Sequence, residues 1–191
     1  ASTRRATERT AGEILLFRGA PASIFYTASC GGRSERPSEV WPGADDPPFL
    51  QSRADDACEG GPAWTTDLDA EDLGRALRSA GYSGKKVDDL KVLKRSQSGR
   101  VTRLRIAGFQ PDEISGQDLR MVVGRTLGWR YIKSTAFELR RTSSGFHFSG
   151  HGSGHGVGLC CIGATRLGDR GKDARHILAR YFPGLEISRL P

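Results

Sequence analysis

The chain has 191 residues, of which 37% are hydrophobic and 8% aromatic, a composition typical of a globular domain and not of a disordered segment. It contains no apolar run of about 18 residues or more, so the sequence predicts no membrane-spanning helix. Its net charge of +7 comes from lysines and arginines spread along the chain, without a recognisable nucleic-acid-binding module. No nucleic acid is expected as a partner, whereas a diffuse basic surface either adheres to an anionic polymer or is simply solvated.

The first third of the chain predicts two strands followed by a long loop. Residues 13–17 and 23–29 favour strands, because they are rich in β-branched and aromatic side chains and are separated by a Gly-Ala-Pro turn. Residues 35–62 contain five prolines and favour a long ordered loop. Trp41 and Phe49 are expected to anchor this loop to the core.

The middle of the chain predicts two helices separated by a hairpin. Residues 67–80 show helical spacing of apolar side chains, with the first residue, Asp67, as the expected N-cap. Residues 89–95 and 101–107 flank a Ser-Gln-Ser-Gly turn and favour paired strands. A second helix is predicted over 117–127, capped by Ser115.

The last third predicts strands at 131–141, 145–149 and 185–188 and a third short helix over 173–182. Strands and helices mix without strict βαβ alternation, so we expect an α+β fold of mixed, mostly antiparallel strands, three short helices and the long Pro/Gly-rich loop. The sequence predicts one domain over 1–191, in which 65–128 could be an inserted lobe.

Glycine occupies every second position from 150 to 158, and two histidines, His151 and His155, stand between glycines. Each glycine costs about 1 kcal/mol relative to alanine inside a helix, so no helix is expected over 150–164. Repeated glycine instead allows tight bends and close backbone approach, which is typical of a segment that shapes a site.

The glycine run resembles the end of the stage II sporulation protein D (SpoIID) domain, a family that includes the LytB-type amidase enhancers. Other segments fit the family in the same order: 25–35, 39–41, 49–50, 98–101, 115–120 and 133–137. The resemblance implies a bacterial, extracytoplasmic protein that recognises peptidoglycan glycan strands. It also implies a lytic transglycosylase, which cleaves between N-acetylmuramic acid and N-acetylglucosamine and leaves an anhydro-muramyl end.

One carboxyl group suffices for that reaction, because it acts first as acid and then as base while the sugar's own hydroxyl is the nucleophile. In the family this group is a Glu ahead of an Ala-rich helix, and this chain starts with a segment that resembles the one just after it. We therefore expect the C-terminal part of a cleaving domain, without its acid. The alternative is a non-catalytic wall-binding module or amidase enhancer, with an N-acetylmuramoyl-L-alanine amidase as a further partner.

Two sets of residues are candidates for holding a glycan. His155, flanked by Gly154 and Gly156, could lie at the floor of a groove and stack on or donate to a sugar, or it could be a structural histidine. The backbone after Ser29, with its Gly-Gly pair, could present N–H groups to acetamido or anionic oxygens, or it could be a tight turn. The glycines of that pair are Gly31 and Gly32.

Three further residues are weaker candidates. Arg120 and Ser134 fall in segments that resemble the family, yet each could equally be a structural hydrogen bonder. Glu39 is the best-placed carboxylate of the long loop, and Trp41 nearby could raise its pKa as an acid requires. A solvated loop carboxylate is the simpler interpretation of Glu39.

The four cysteines bear on compartment and on metal binding. Relatives with a Ser-Cys-Gly-Gly segment often carry a second cysteine near position 58, so we expect a Cys30–Cys58 disulfide and an oxidising location. Cys160 is expected to be a small buried hydrophobe. A zinc set of His151, His155 and Cys160 or Cys161 would suit a thiol- or metal-dependent hydrolase, but the intervening glycines favour a loop over a scaffolded ligand pair. No metal or cofactor is therefore expected.

Overall fold

The computed structural model describes residues 2–189, and all structural statements below refer to them. The helices are α1 (Ser2–Arg9), α2 (Ala70–Ser79), α3 (Gly116–Thr126), α4 (Cys161–Asp169) and α5 (Ala174–Tyr181). The strands are β1 (Glu13–Phe17), β2 (Ala20–Pro21), β3 (Tyr26–Thr27), β4 (Ala63–Asp69), β5 (Ser83–Arg95), β6 (Val101–Gln110), β7 (Glu113–Ser115), β8 (Phe137–Arg141), β9 (Gly145–His151), β10 (Leu159–Cys160) and β11 (Glu186–Arg189). No helix in this part of the chain is both long enough and apolar enough to cross a bilayer.

The predicted α+β class is confirmed, with strands that pair mostly antiparallel. Three small antiparallel sheets have the orders β11-β1-β2, β4-β9-β8 and β5-β6-β7, while β10 pairs with β3 in parallel. The predicted hairpin at 89–107 is present as the longer pair β5–β6. The long loop is present too, and three single turns of 3₁₀ helix punctuate it: Pro37–Glu39, Pro48–Leu50 and Asp56–Cys58.

The number of helices was predicted wrongly, since residues 2–189 form five instead of three. The start of α2 was also wrong: Asp67 lies in β4, where it pairs with His147 of β9, and Asp69 is the N-cap. Both aspartates precede the same apolar spacing, and the pairing of β4 with β9 decides between them. Ser115 does cap α3, where its side chain accepts from Asp118 N at 2.9 Å.

The glycine run is free of helix as far as Cys160, but α4 begins directly after it, which contradicts the prediction over 150–164. Cys160 is the N-cap of this helix, and its sulfur accepts from Gly163 N at 3.4 Å. The alternation of glycine ends at Gly158, and beyond it the backbone is free to become helical.

Two hydrophobic clusters hold the chain together, beside a small third one formed by Cys30, Cys58 and Cys160. The larger joins α2 and α3 to the β4-β9-β8 and β5-β6-β7 sheets and includes Leu73, Leu104 and Phe148. The smaller forms around Phe49 and Phe182, so Phe49 anchors the long loop as predicted. The proposed lobe at 65–128 contributes to the larger cluster, and its status as an insertion stays a prediction.

Candidate functional site

The glycine run threads between two other segments of the chain. Ser153 exchanges two backbone hydrogen bonds of 2.9 Å with Ser29, which follows β3. On the other side, Gly154 N donates to Lys133 O at 2.9 Å. The motifs that lie far apart in sequence are therefore neighbours, with the glycine run at their centre.

Glycine is required along this run because the backbone is left-handed at alternate positions. Gly152, Gly154, Gly156 and Gly158 have φ angles of 73°, 99°, 86° and 77°, a region that residues with a Cβ rarely adopt. At Gly156 a Cβ would also stand 2.5 Å from Nη2 of Arg100, whose side chain is buried. The backbone at Gly156 thus packs so closely against the Arg100 guanidinium that no Cβ fits between them.

His155 carries a side chain that lies among aromatic rings. Its ring centroid is 5.0 Å from that of Trp41, which itself stacks on Phe25 at 4.8 Å. Burial and the charges of Arg120 and Arg100 lower the pKa of His155 to about 4, so the imidazole is neutral near pH 7. Nδ1 accepts from Val157 N at 3.1 Å, which assigns the proton of the neutral ring to Nε2.

Arg120 lies next to the glycine run through a shared carbonyl. Its Nε donates at 3.1 Å to Lys133 O, the oxygen that also accepts from Gly154. Its guanidinium carbon lies 5.6 Å from the ring centre of Trp129, a side chain that is 51% exposed. Burial and the charge of Arg100 lower the pKa of Arg120. A guanidinium stays protonated in proteins, so Arg120 is a cation fixed in place by its bond to Lys133 O.

These residues lie around the glycine run, and we call the surface that they form the aromatic face. Tyr26 contributes to it from β3, with a side chain that is 74% exposed. The face consists of Tyr26, Trp41, His155, Arg120 and Trp129. The exposed rings of Tyr26 and Trp129 and the fixed cation give this surface the chemistry of a ligand-binding platform.

The other predicted site residues lie around the run and support it. Ser29 and Ser134 are buried; Ser134 Oγ donates to His151 O at 2.7 Å, and Ser29 Oγ lies 3.3 Å from Cys58 Sγ. A Cβ at Gly31 would stand 2.5 Å from the His151 ring, whereas Gly32 has open space beside it. The structure thus brings all of these residues together, with Ser29 and Ser134 beneath the surface.

Glu39 is held by a cation instead of an apolar environment. Nη2 of Arg36 donates to its Oε1 at 2.9 Å, and the side chain is 19% exposed. A second carboxylate, Glu35, was not singled out from the sequence although it follows the Gly-Gly pair closely. It is buried and accepts hydrogen bonds from the Ser96 and Ser98 hydroxyls of the β5–β6 turn.

The predicted Cys30–Cys58 disulfide is not present, because all four cysteines are free. Cys30, Cys58 and Cys160 are instead buried together with Asp55, and one ligand atom of each lies within 4.8 Å of the others. A hydrogen bond between the thiols of Cys30 and Cys160 lowers the pKa of Cys160 to about 6 and raises that of Cys30. Cys160 is buried as predicted, but in a polar cluster.

The zinc set considered from the sequence does not assemble. His151 and His155 are absent from the cysteine cluster, which in residues 2–189 is the sole group of three or more potential ligands within reach of one ion. The ring of His151 contacts Gly31, while that of His155 packs on Trp41.

A family described as a domain of unknown function, DUF8618, matches residues 62–158, just over half of the chain. The chain belongs to this family. The DUF8618 match runs from β4 through the glycine run, so it contains Arg120 and His155 of the aromatic face.

Named relatives extend the similarity over nearly the whole chain. An uncharacterised protein of Brachyspira hyodysenteriae is 28% identical over 97% of this chain and 48% of its own length. The amidase enhancer of Bacillus subtilis is 23% identical over 98% of this chain and 32% of its own length. The stage II sporulation protein D of Bacillus amyloliquefaciens is 24% identical over 94% of this chain and 48% of its own length.

The sequence resemblance is therefore supported at the level of distant similarity to proteins with these names. The chain spans between a third and a half of the length of these relatives. The absence of an upstream catalytic segment stays a prediction.

Proposed function

We propose that this protein acts on the bacterial cell wall by binding peptidoglycan glycan strands along the aromatic face. The whole protein would use this binding to position the strand for cleavage in the manner of a SpoIID-type lytic transglycosylase. The observation that carries the proposal is the set of aromatic rings beside the glycine run, two of them exposed, together with a fixed arginine.

The chemistry of this face fits an amino-sugar polymer. Apolar faces of pyranose rings stack on aromatic side chains, and Tyr26 and Trp129 present such rings to solvent. Strands stripped of stem peptides carry free lactyl carboxylates, which Arg120 can bind through charge-assisted hydrogen bonds. The net charge of +7 adds a long-range attraction to such an anionic strand.

The neutral ring of His155 contributes shape and not charge. With Nδ1 occupied by Val157 N–H, the ring faces Trp41 and holds it beside the glycine run. Ser29, Ser134 and the neighbouring glycines then act as positioning residues. The hydrogen bonds of Ser29 to Ser153 and of Ser134 to His151 O fix the glycine run from its buried side.

The names of the relatives support a wall-related role and are compatible with two activities. An amidase enhancer and stage II sporulation proteins D are both similar to this chain. The alternative function is a strand-binding module that assists an N-acetylmuramoyl-L-alanine amidase and cleaves nothing itself. One observation favours it for the described residues: Glu39 is ion-paired and Glu35 is buried in hydrogen bonds, so neither resembles a free acid. Either activity places the protein outside the cytoplasm, on the grounds of its substrate.

Sedimentation with amidase-stripped glycan strands tests the binding. We expect the protein to co-sediment, and Trp129→Ala and Arg120→Ala each to weaken binding about tenfold, the loss of one stacking or ionic contact of about 1.4 kcal/mol. His176→Ala, an exposed histidine of α5, serves as the control and should bind normally. Unchanged binding of both face variants would contradict the proposal.

Mass spectrometry of the same incubation separates the two activities. Anhydro-muramyl ends would show that the purified protein cleaves, and Glu39→Gln would then be the first variant to compare. Binding without new ends would support the strand-holding module.

A further inference from the structure

The cysteine cluster is independent of the aromatic face and has its own chemistry. Its members come from three separate places: the turn after β3, the last 3₁₀ turn of the long loop and the end of β10. Cys30, Asp55, Cys58 and Cys160 are each at most 4% exposed. The neighbouring Cys161 is exposed and is not a member.

We propose that Cys30, Cys58, Cys160 and Asp55 form a tetrahedral site for a zinc ion that holds these three segments together. Zinc in structural sites is bound at about 2.3 Å by sulfur and about 2.0–2.2 Å by carboxylate oxygen, which places neighbouring sulfurs about 3.8 Å apart. The four ligand atoms already lie within 4.8 Å of one another, so binding needs a contraction of about 1 Å or less. Three thiolates and a carboxylate are ligands that suit zinc.

The groups around the cluster are arranged as in an outer shell of a metal site. Backbone N–H groups of Cys30 and Gly163 donate to Cys160 Sγ at 3.3 and 3.4 Å, which stabilises a thiolate. The Tyr181 hydroxyl donates to Asp55 Oδ2 at 2.9 Å and so orients the carboxylate. The other carboxylate oxygen, Oδ1, is buried without a hydrogen bond and has only Arg180 at 3.5 Å.

Charge balance also favours a bound dication. Three thiolates and a carboxylate carry four negative charges, and a zinc ion reduces this to two. Two arginines lie beside the cluster: buried Arg100 donates to Cys30 O, and Arg180 faces Asp55. With the metal in place, these two cations offset the remaining negative charge in part, since Arg100 also faces Glu35 and Arg180 also pairs with Asp56.

The backbone closes tightly around the ligands. A Cβ at Gly163 would stand 2.8 Å from Asp55 Oδ2, and one at Gly61 would stand 3.3 Å from Cys58 Sγ. A cavity of about 200 Å³ adjoins the cluster, with Cys30, Asp55 and Arg180 in its wall. The zinc would therefore link the turn before Gly31, the end of the long loop and the start of α4.

Metal analysis of the purified protein, with Zn²⁺ or Co²⁺ alone as the probe, tests the site. We expect one zinc per chain, and in the Co²⁺ form a thiolate-to-cobalt charge-transfer band together with the visible bands of a tetrahedral ion. Cys58→Ser and Asp55→Asn should each weaken metal affinity at least tenfold in competition with a chromophoric chelator. Cys161→Ser is the matched control and should retain full binding.

Two measurements keep the test decisive even if a variant folds poorly. A thiol count and the intact mass of the wild-type protein report whether any two cysteines are joined as a disulfide. Absence of stoichiometric metal, with or without a disulfide, would overturn the proposal. Binding that is insensitive to both Cys58→Ser and Asp55→Asn in folded protein would overturn it as well.

Discussion

At the scale of single residues, His155 lies in an environment that differs clearly from water. Its ring is packed against Trp41, and the charges that act on it are the cations Arg120 and Arg100. All of these disfavour the imidazolium, which explains why the pKa of His155 falls from 6.5 to about 4. The consequence is a pH dependence of stability that can be measured.

We expect the free energy of unfolding to decrease as the pH falls from 6.5 to 4. Between these values the unfolded chain binds a proton at His155 that the folded protein rejects, so stability rises with pH across the window and is fully present above 6.5. Urea unfolding at intervals across the window measures the slope. His155→Asn, which keeps an acceptor for Val157 N–H, should flatten it.

The control for this experiment is His176→Asn, because His176 is exposed on α5. His151 has a pKa that is also lowered by burial and by Arg100, so part of the slope should remain in His155→Asn. A slope that is identical in wild type and His155→Asn would show that the ring is accessible to water and not held as described.

At the scale of elements, the glycine run owes its path to two separate constraints. Left-handed φ angles exclude most side chains, and at Gly156 the buried guanidinium of Arg100 also fills the space of a Cβ. At Gly171, after α4, φ is 78° but no atom lies within 4 Å of the Cβ position. These two glycines separate backbone strain from steric exclusion.

Gly156→Ala should therefore destabilise the protein more than Gly171→Ala does. A left-handed alanine costs about 1–2 kcal/mol, which is the expected loss for Gly171→Ala. Gly156→Ala adds displacement of a buried cation, and we expect at least about 1 kcal/mol more. Chemical denaturation compares the two, and equal losses would mean that the Arg100 side chain gives way freely.

The helices and strands show which parts of the fold could be predicted from the sequence. Apolar spacing and the Ser115 cap located α3, and the Ser-Gln-Ser-Gly turn located the β5–β6 hairpin, since local chemistry decides both. Asp67 and Asp69 are equally good caps locally, and a strand partner 80 residues away favours Asp69. Helix α4 escaped prediction because its N-cap is a cysteine at the end of a glycine run.

The aromatic face and the cysteine cluster also differ in how far the sequence predicts them. His155 and Arg120 could be singled out because their segments resemble a family, whereas Trp129 could not, since an exposed tryptophan gives no periodic signal. The cysteine cluster depends on three segments meeting, and the sequence offers only pairwise spacings. A disulfide between two of its members was the natural prediction, and the third thiol and Asp55 are visible only in three dimensions.

At the scale of the whole molecule, the β5–β6 turn packs against the segment that follows β3. Arg100, 2% exposed, donates from this turn to Cys30 O and Arg33 O. Ser98 Oγ donates in the other direction, to Glu35 at 2.7 Å. The turn is thus inserted into the segment that lines the glycine run, and it ties residues 65–128 to the rest of the chain.

Because the buried turn joins the two parts of the chain, we expect the protein to unfold as one cooperative unit. Far-UV circular dichroism and tryptophan fluorescence should give coincident urea transitions, as a single domain requires.

Arg100→Met should lower the free energy of unfolding by about 3 kcal/mol or more, because Glu35 is then buried without its cation. Arg103→Met, on the exposed side of β6, is the matched control and should cost less than about 1 kcal/mol. Removing Glu35 as well should recover part of the loss, so Glu35→Gln combined with Arg100→Met should cost less than the sum of the two single changes. Non-coincident circular dichroism and fluorescence transitions in the wild-type protein would instead show that residues 65–128 fold as a separate lobe. The contacts of the buried turn would then not couple the unfolding of the two parts.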